Sequence, residues 1–470
     1  MSSKLKLFLI FGLLSHGLMA FQYQAENDSV SNRHFISVRQ SAVVSGRKTL
    51  PFWLVSNNSH RLNADSYLGL WTNLAIKKAP EATSKTDYFY EVEGSAFGGN
   101  NASFSLIQAY AGIRIKPLEI HLGSREEFFG VNDSTLSIGN LFYGNNARPI
   151  PKLAVKTQDW IKVPFLKEFL SFKAYLAHGW LEEDRYQSNA FLHQKYFYLR
   201  FNFLKSRLLL TGGLHHSAQW AGENSEQGTQ QPAGLSDFAR ILVASAGGKN
   251  ANTTDQLNAL GNHLGSYDLS ASFRLKKFTV RNYWQFLWED KSGLTPFNWR
   301  DGLFGVSVRS NIQKGIVQGF NLEIIRTNSQ DAIKYANDGT RIIEPDNFFN
   351  NSVYQSGWTF QHRVIGSPMF LILNPGAHSN SLIKNMVNGY NIGINGRYGK
   401  LGYQVSYKYF KNRGLFRGVF SPALKLKSIG AILQFPLKKS SLLLRGVIEW
   451  GNYPGKNAGL VFSYVRVIKL

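Results

Sequence analysis

The chain has 470 residues, a formal net charge of +23, 14% aromatic residues, 43 glycines, 4 methionines and no cysteine. Without cysteine there is no disulfide staple and no thiol for lipid attachment, so stability rests on packing or on a closed sheet. Beyond the first twenty residues no apolar run approaches the about 20 residues of a spanning helix, which excludes an α-helical membrane protein but leaves open a β-barrel, whose strands cross with about 10 alternating residues.

Residues 1–20, "MSSKLKLFLIFGLLSHGLMA", place Lys4 and Lys6 ahead of an apolar run that ends in a small residue. That pattern predicts a removable secretory signal ending at Ala20. Loss of the two lysines leaves a charge of about +21, which points to a polyanionic partner. For an exported protein this excludes nucleic acid and favours anionic lipid headgroups or acidic polysaccharide. Residues 21–66, with "TLPFWLVSNNSHR", alternate poorly. They are expected to form a short helical or irregular segment in the periplasm or against a barrel mouth, with the barrel itself running from 67 to 470.

From there period-two alternation dominates. "YFYLRFNFLKSRLLLTGGLHHSAQW" reads as a hairpin turning near Lys205 and Ser206 and ending in an aromatic. A long polar connection follows from Gly222 to Asn262, with a short helix in "DFARILVASAG" for which Ser236 is the expected N-cap. In "DLSASFRLKKFTVRNYWQFLWED", Leu269, Ala271, Phe273 and Leu275 alternate with Ser270, Ser272, Arg274 and Lys276, and Trp284, Phe286 and Trp288 close the return strand. A second long connection, Thr327 to Ser352, is rich in Asn and Asp. In "GYNIGINGRY" and "YQVSYKY", Tyr390, Ile392, Ile394, Tyr403, Val405 and Tyr407 make a greasy face opposite Asn391, Asn395, Gln404, Ser406 and Lys408.

Short turns at one end, long polar loops at the other and aromatics at strand ends are the marks of an outer-membrane barrel. The expected fold class is all-β: a large antiparallel transmembrane β-barrel with long extracellular loops. About 400 residues at roughly 20 to 25 per strand and connection give 16 to 20 strands around a polar lumen. One stretch breaks the alternation: "FYGNNARPIPKLAVKTQDW", Phe142 to Trp160. Pro149 and Pro151 lack ladder donors, so the segment belongs at the rim or inside the lumen, either as a stiff connector or as a binding loop.

No compact set of residues suggests catalysis. Glu126 and Glu127 are adjacent and point to opposite faces if extended, so they cannot act as a pair across a glycosidic bond. Glu182, Glu183 and Asp184 are open to a catalytic reading or to a solvated or Arg-paired cluster. His215 and His216 again face opposite ways, and with His178, His193 and His263 they show no ligand spacing for a metal. No nucleophile elbow, phosphate loop or dinucleotide fingerprint is present. The expectation is a non-enzyme without metal or cofactor. Sugar recognition needs flat aromatic faces, hydrogen-bonding groups and guanidinium forks for uronate carboxylates. The candidates near irregular polar segments are Arg125, Asn145, Arg148, Trp160, His178, Trp180, Asn262, His263 and Trp358.

The stretch "LEIHLGSREEFFGVNDSTLSIGNLFYGNNARPIPKLAVKTQDWIKVP" resembles the Wzi-type capsule assembly proteins. "AHGWLEEDRYQSNAFLHQKYFYLR", "GLHHSAQW", "LNALGNHLGSYD", "YWQFLWEDKSGL", "RDGLFGVSVR" and "YQSGWTF" support it in family order. The resemblance implies an outer-membrane lectin-like barrel of about 18 strands that binds capsular polysaccharide and holds it at the cell surface. Its implied partners are acidic capsular polysaccharide, outer-membrane lipid and the polysaccharide export machinery, with the chain as a monomer. One departure is the C-terminus, which ends in Leu470 where such barrels place an aromatic; Phe462 and Tyr464 lie nearby. The alternatives are a porin-like diffusion channel and a glycan-processing enzyme.

Overall fold

A computed structural model describes residues 34–470 apart from 167, 290–299, 313–314, 331–332, 336–339, 344 and 374–381. The expected signal and residues 21–33 lie outside the described residues. Eighteen antiparallel staves close on themselves. The first nine are β1 (His34–Ser45), β2 (Leu68–Lys78), β3 (Thr86–Gly99), β4 (Ala102–Ile115), β5 (Leu118–Ser124), β6 (Pro151–Thr157, resuming at Ile161–Lys162), β7 (Leu170–Trp180), β8 (Phe191–Phe203) and β9 (Leu208–Trp220). The rest are β10 (Asn262–Arg274), β11 (Phe278–Trp288), β12 (Gly302–Ser310), β13 (Val317–Arg326), β14 (Val387–Tyr398), β15 (Leu401–Gly414), β16 (Val419–Pro436), β17 (Ser440–Gly451) and β18 (Asn457–Lys469). Each stave pairs with its chain neighbours, and β1 pairs with β18 from Phe35 opposite Lys469 to Ser45 opposite Gly459.

The seam corrects one expectation. The barrel begins at His34 rather than at residue 67, so 34–66 is not a periplasmic segment: 34–45 is a stave and 46–67 enters the lumen from the long-loop end. The physical reason lies in β1, whose lumen face carries Phe35 and Val43, both buried, between Ser37, Arg39 and Ser41. An inward face that is half apolar blurs the alternation.

Elsewhere the pattern holds. On β2, Leu68, Leu70, Leu74 and Ile76 are exposed outward, while Asn73 is buried inward. Leu118, Ile120 and Leu122 of β5 are exposed, and Glu119 and His121 between them are buried. An apolar outer band with polar groups inside suits a lipid surround, since an ionic side chain there costs about 2–4 kcal/mol at mid-depth. At the short-turn end Phe165, Phe203 and Tyr398 are exposed, and at the other end Phe104 and Trp180. The connections 46–67, 125–150, 221–261 and 327–386 all leave from that second end, as the turn asymmetry predicts.

Most of these loops fold inward and build a core of their own. Trp53 and Leu54 of the short helix α1 (Phe52–Val55), with Phe129, Leu141, Phe142, Phe348, Phe349, Trp358 and Phe370, pack together and against Tyr175, Tyr196 and Phe410 of the wall. A lumen this wide would otherwise be filled by water; here it holds a plug. The connection 221–261 behaves differently. Its helix α2 (Leu235–Val243) lays Phe238 and Ile241 against Trp220 and Ala218 on the outer face of the rim. The N-cap lies two residues before the expected Ser236: it is Gly234, and its N–H donates to Oδ2 of Asp237 at 3.0 Å.

Candidate functional site

The segment 142–151 sets the geometry of the barrel mouth. Asn140 starts it with an Asx turn, its Oδ1 accepting the N–H groups of Phe142 (2.7 Å) and Tyr143 (3.0 Å). Pro149 is buried in the loop, and Pro151 is the first residue of β6, a position that requires no ladder N–H. Between these anchors the chain ties two other loops together. Asn145 O accepts the N–H of Ser59 at 2.7 Å, and Nδ2 of Asn146 donates to Val364 O at 2.9 Å.

Arg148 projects from this bridge. Its Nη2 donates to Ser105 Oγ of β4 at 2.8 Å, and its Nε has no partner in the structure. Across from it stands Arg363, on a two-residue hairpin (Thr359–Phe360 with Arg363–Val364), and His60 comes from the third loop. Among the described residues neither arginine is paired with a carboxylate. Burial and then the charge of Arg148 lower Arg363 to about 10, and burial alone lowers Arg148. Burial, then the charges of Arg363 and Arg148, hold the His60 imidazole down to about 3. Three loops therefore bring two half-buried cations and one neutral imidazole within electrostatic reach of one another, an arrangement suited to a carboxylate or other oxyanion.

Of the nine residues that sequence reasoning selected, Asn145 and Arg148 sit at this mouth. The others are dispersed. Arg125 lies on the wall, with Nη1 3.5 Å from Glu119 Oε2 and its guanidinium over Phe89 and Tyr110. Asn262 is buried at the rim, where Nδ2 donates to Gln219 Oε1 at 3.5 Å. Trp358 is 0% exposed in the plug core. Trp160 is at the opposite end of the barrel, under Arg200 at 3.7 Å. His178, Trp180 and His263 face outward around α2; His178 packs on Trp220 and Phe238, and His263 bonds His216 at 2.8 Å.

The acidic pairs are structural. Glu126 engages Arg61 and Ser59, while Glu127 takes Lys152 Nζ (2.8 Å) and Tyr175 Oη (2.7 Å), so the two adjacent carboxylates diverge as expected. Glu182 pairs with Arg185 at 3.4 Å and accepts the N–H of Gln361; Asp184 lies 3.4 Å from His362. Among the described residues no group of His, Asp and Glu has metal-ligand geometry.

Sequence reasoning missed Arg363 and His60. Each sits in a loop without periodicity, and only the tertiary bridge through Asn145 and Asn146 brings them to Arg148. A basic residue in an Asn-rich connection was the one available signal.

Comparison with known proteins places these features. The family model "Capsule assembly protein Wzi" matches residues 38–405. No curated protein sequence matches the chain significantly. Among solved structures, Wzi of Escherichia coli, described as an outer membrane protein involved in group 1 capsule assembly and a carbohydrate-binding β-barrel, superposes with a TM-score of 0.60 at 16% identity, covering 91% of this chain and 83% of that one. OccK5 (OpdH) of Pseudomonas aeruginosa gives 0.47 at 10% identity over 94% and 98%, and OprD of the same organism 0.46 at 9% over 94% and 96%.

Proposed function

Because the chain belongs to the Wzi capsule assembly family and forms an outer-membrane β-barrel, we propose that its basic mouth holds acidic capsular polysaccharide at the cell surface without chemical turnover. The observation that carries this reading is the convergence of Arg148 and Arg363 from separate loops, neither paired with a carboxylate among the described residues. An acidic polymer repeats its carboxylates along the chain, and a pair of guanidinium forks at a fixed separation engages such a repeat by bidentate bonding. His60, neutral at physiological pH, adds a hydrogen-bonding group, and Asn63 beside it another. The carbohydrate-binding description of the Escherichia coli relative supports the ligand class.

On this reading the chain works as a monomer, receives polymer from the export machinery and needs no cofactor. A non-catalytic role is supported by three loop carboxylates that are committed to cations: Glu126 to Arg61, Glu127 to Lys152 and Glu182 to Arg185. A diffusion channel is disfavoured by the apolar plug that fills the lumen around Phe142 and Trp358.

The test compares cell-bound and shed capsule in cells carrying the wild type, a deletion, or Arg148→Ser with Arg363→Ser. Deletion should release capsule into the medium, and the double substitution should release most of it while the barrel remains folded in the membrane. Unchanged cell-bound polysaccharide in the deletion would sink the proposal; full retention by the double variant would move the binding site away from the mouth.

A further inference from the structure

Beneath the mouth the lumen keeps a second space. A cavity of about 210 Å³ lies between the plug and the inner wall of β1, β2, β15, β16 and β17. Its roof is made by Trp53, Asn57 and Arg61 of one loop and Asn140 of another. Ser37, Ala75 and Gln404 line it near the strand ends that meet the short turns, so it sits on the short-turn side of the plug.

Three cations face this cavity from one arc of the wall. Arg39 of β1 has its guanidinium 5.8 Å from the Trp71 ring centroid. Lys408 of β15 donates to Ser406 Oγ at 3.0 Å and lies 4.9 Å from the Trp53 ring. Arg445 of β17 donates through Nη2 to Trp53 O at 2.7 Å. Among the described residues none of the three is bonded or ion-paired to a carboxylate. Of the carboxylates lining the same cavity, Glu127 is taken by Lys152 and Asp133 by Arg309, while Glu93 and Glu126 share Arg61 and the charge left over faces Arg39, so the cations remain in excess.

Two other buried cations of this wall are matched: Arg114 bonds Glu119 at 2.8 Å and Lys152 bonds Glu127 at 2.8 Å. Like charges gathered in a space of reduced dielectric repel and lose hydration, so an excess of cations without a direct carboxylate partner is costly unless an anion enters. Small residues, Ser406, Gly430, Ala431 and Gly446, line the wall beside the cations and leave the volume open. Gln404 Oε1 and Asn73 Oδ1, buried without a bond among the described residues, are acceptors that suit the hydroxyls of a sugar rather than its anionic oxygens.

We propose that this cavity is a second, lumenal binding site for a small oxyanion, the carboxylate of an acidic sugar or a phosphate, with Arg39, Lys408 and Arg445 as its cationic lining. Its cations are not those of the mouth, although Asn145 lines the partition between the two spaces, and it does not depend on the surface-retention reading. The two guanidinium groups supply planar forks, and the ammonium supplies a point charge. A volume of about 210 Å³ admits one monosaccharide-sized ligand rather than a folded-back polymer.

The experiment titrates the purified full chain in detergent with galacturonate, inorganic phosphate and, as the neutral control, galactose, by calorimetry. Binding of galacturonate alone assigns the site to sugar carboxylates, binding of phosphate alone assigns it to phosphate, and either supports the proposal. In a chain already carrying Arg148→Ser and Arg363→Ser, so that the mouth adds no carboxylate binding of its own, Arg445→Met and Lys408→Met should each weaken binding about tenfold or more, whereas Lys249→Met in the exposed part of the connection 221–261 should leave it unchanged. Unboiled gel migration reports whether each variant retains the closed barrel; if Arg445→Met does not, Lys408→Met and the salt dependence of the wild type decide. Equal binding of galactose and galacturonate, no binding of either anion, or unchanged binding in folded Lys408→Met would overturn it.

Discussion

Nζ of Lys152, fully buried on the lumen face of β6, lies 2.8 Å from Oε2 of Glu127, a residue of the plug loop 125–150. Tyr175 and Tyr143 complete the ring around the pair, so the carboxylate and ammonium are satisfied together. Burial works against ionisation of Glu127, yet Lys152 and Lys156 hold its carboxyl well below the usual range. Breaking one side of such a pair strands a buried charge and costs about 3–5 kcal/mol. Glu127→Leu should therefore lower the temperature at which the unboiled barrel loses its compact gel migration. The double variant Glu127→Leu with Lys152→Met should recover most of the loss; a double variant no better than the single would show that packing, not charge, holds the loop.

The same loop is tied to the opposite wall. Glu323 of β13 accepts Ser137 Oγ (2.5 Å), the N–H of Ile138 (2.8 Å) and Asn391 Nδ2 (2.9 Å), and Asn391 also donates to Leu136 O. Glu323→Ala removes the acceptor for a backbone N–H and a hydroxyl of the plug. In planar bilayers the wild type should pass little current, and the variant should conduct several-fold more. A wild type that conducts like an open barrel of this size would contradict the plug described above.

Charge at the mouth sets a pH profile. His60, held down to about 3, stays neutral from pH 5 to 8, and Arg363, at about 10, stays protonated across the same range. Polysaccharide affinity should therefore be flat between pH 5 and 8, then fall as pH rises through 10 and Arg363 loses its proton. Surface plasmon resonance with immobilised capsule would read this. A steep gain in affinity between pH 7.5 and 5 would mean that His60 titrates there, against its burial beside two arginines.

Close packing inside the wall makes one glycine irreplaceable. At Gly213 of β9 a Cβ would fall 1.9 Å from Cδ1 of Tyr198, whose hydroxyl donates to Asp268 of β10. Gly213→Val should displace the ring, break that bond and destabilise the barrel by about 1–3 kcal/mol, read as a lower heat-modification midpoint. No change would mean the ring has another place to go.

The wall was legible because a barrel exposes its period directly: Tyr390 and Ile392 face outward while Asn391 reaches the plug, as alternation alone requires. The first stave was not, because Phe35 and Val43 are both buried on its inner face, Val43 against the plug core, and so dilute the polar face. The site was partly legible. The prolines at 149 and 151 marked a rim segment, and Arg148 follows from it. Trp358 misled because a tryptophan in a polar loop reads as exposed, whereas these loops carry enough Phe, Leu and Ile to bury it. His178 and His263 misled for another reason: alternation says which residues share a face, but not that α2 folds over the outside of the rim. Arg363 and His60 required knowledge of which loops meet, and that is written in tertiary bonds such as Asn146 Nδ2 to Val364 O, which no local pattern reports.

The seam between β1 and β18 also dictates the order of assembly. Ser41 and Ser463, 422 positions apart in the chain, share a hydrogen bond at 2.9 Å, so the first stave has its second partner only when the last has arrived. Until then β1 presents an open row of N–H and C=O groups to lipid, which the bilayer does not tolerate. The cylinder must therefore shut in one late event around loops already threaded inside, and a chain cut short by a single C-terminal stave would lose the whole wall rather than one-eighteenth of it.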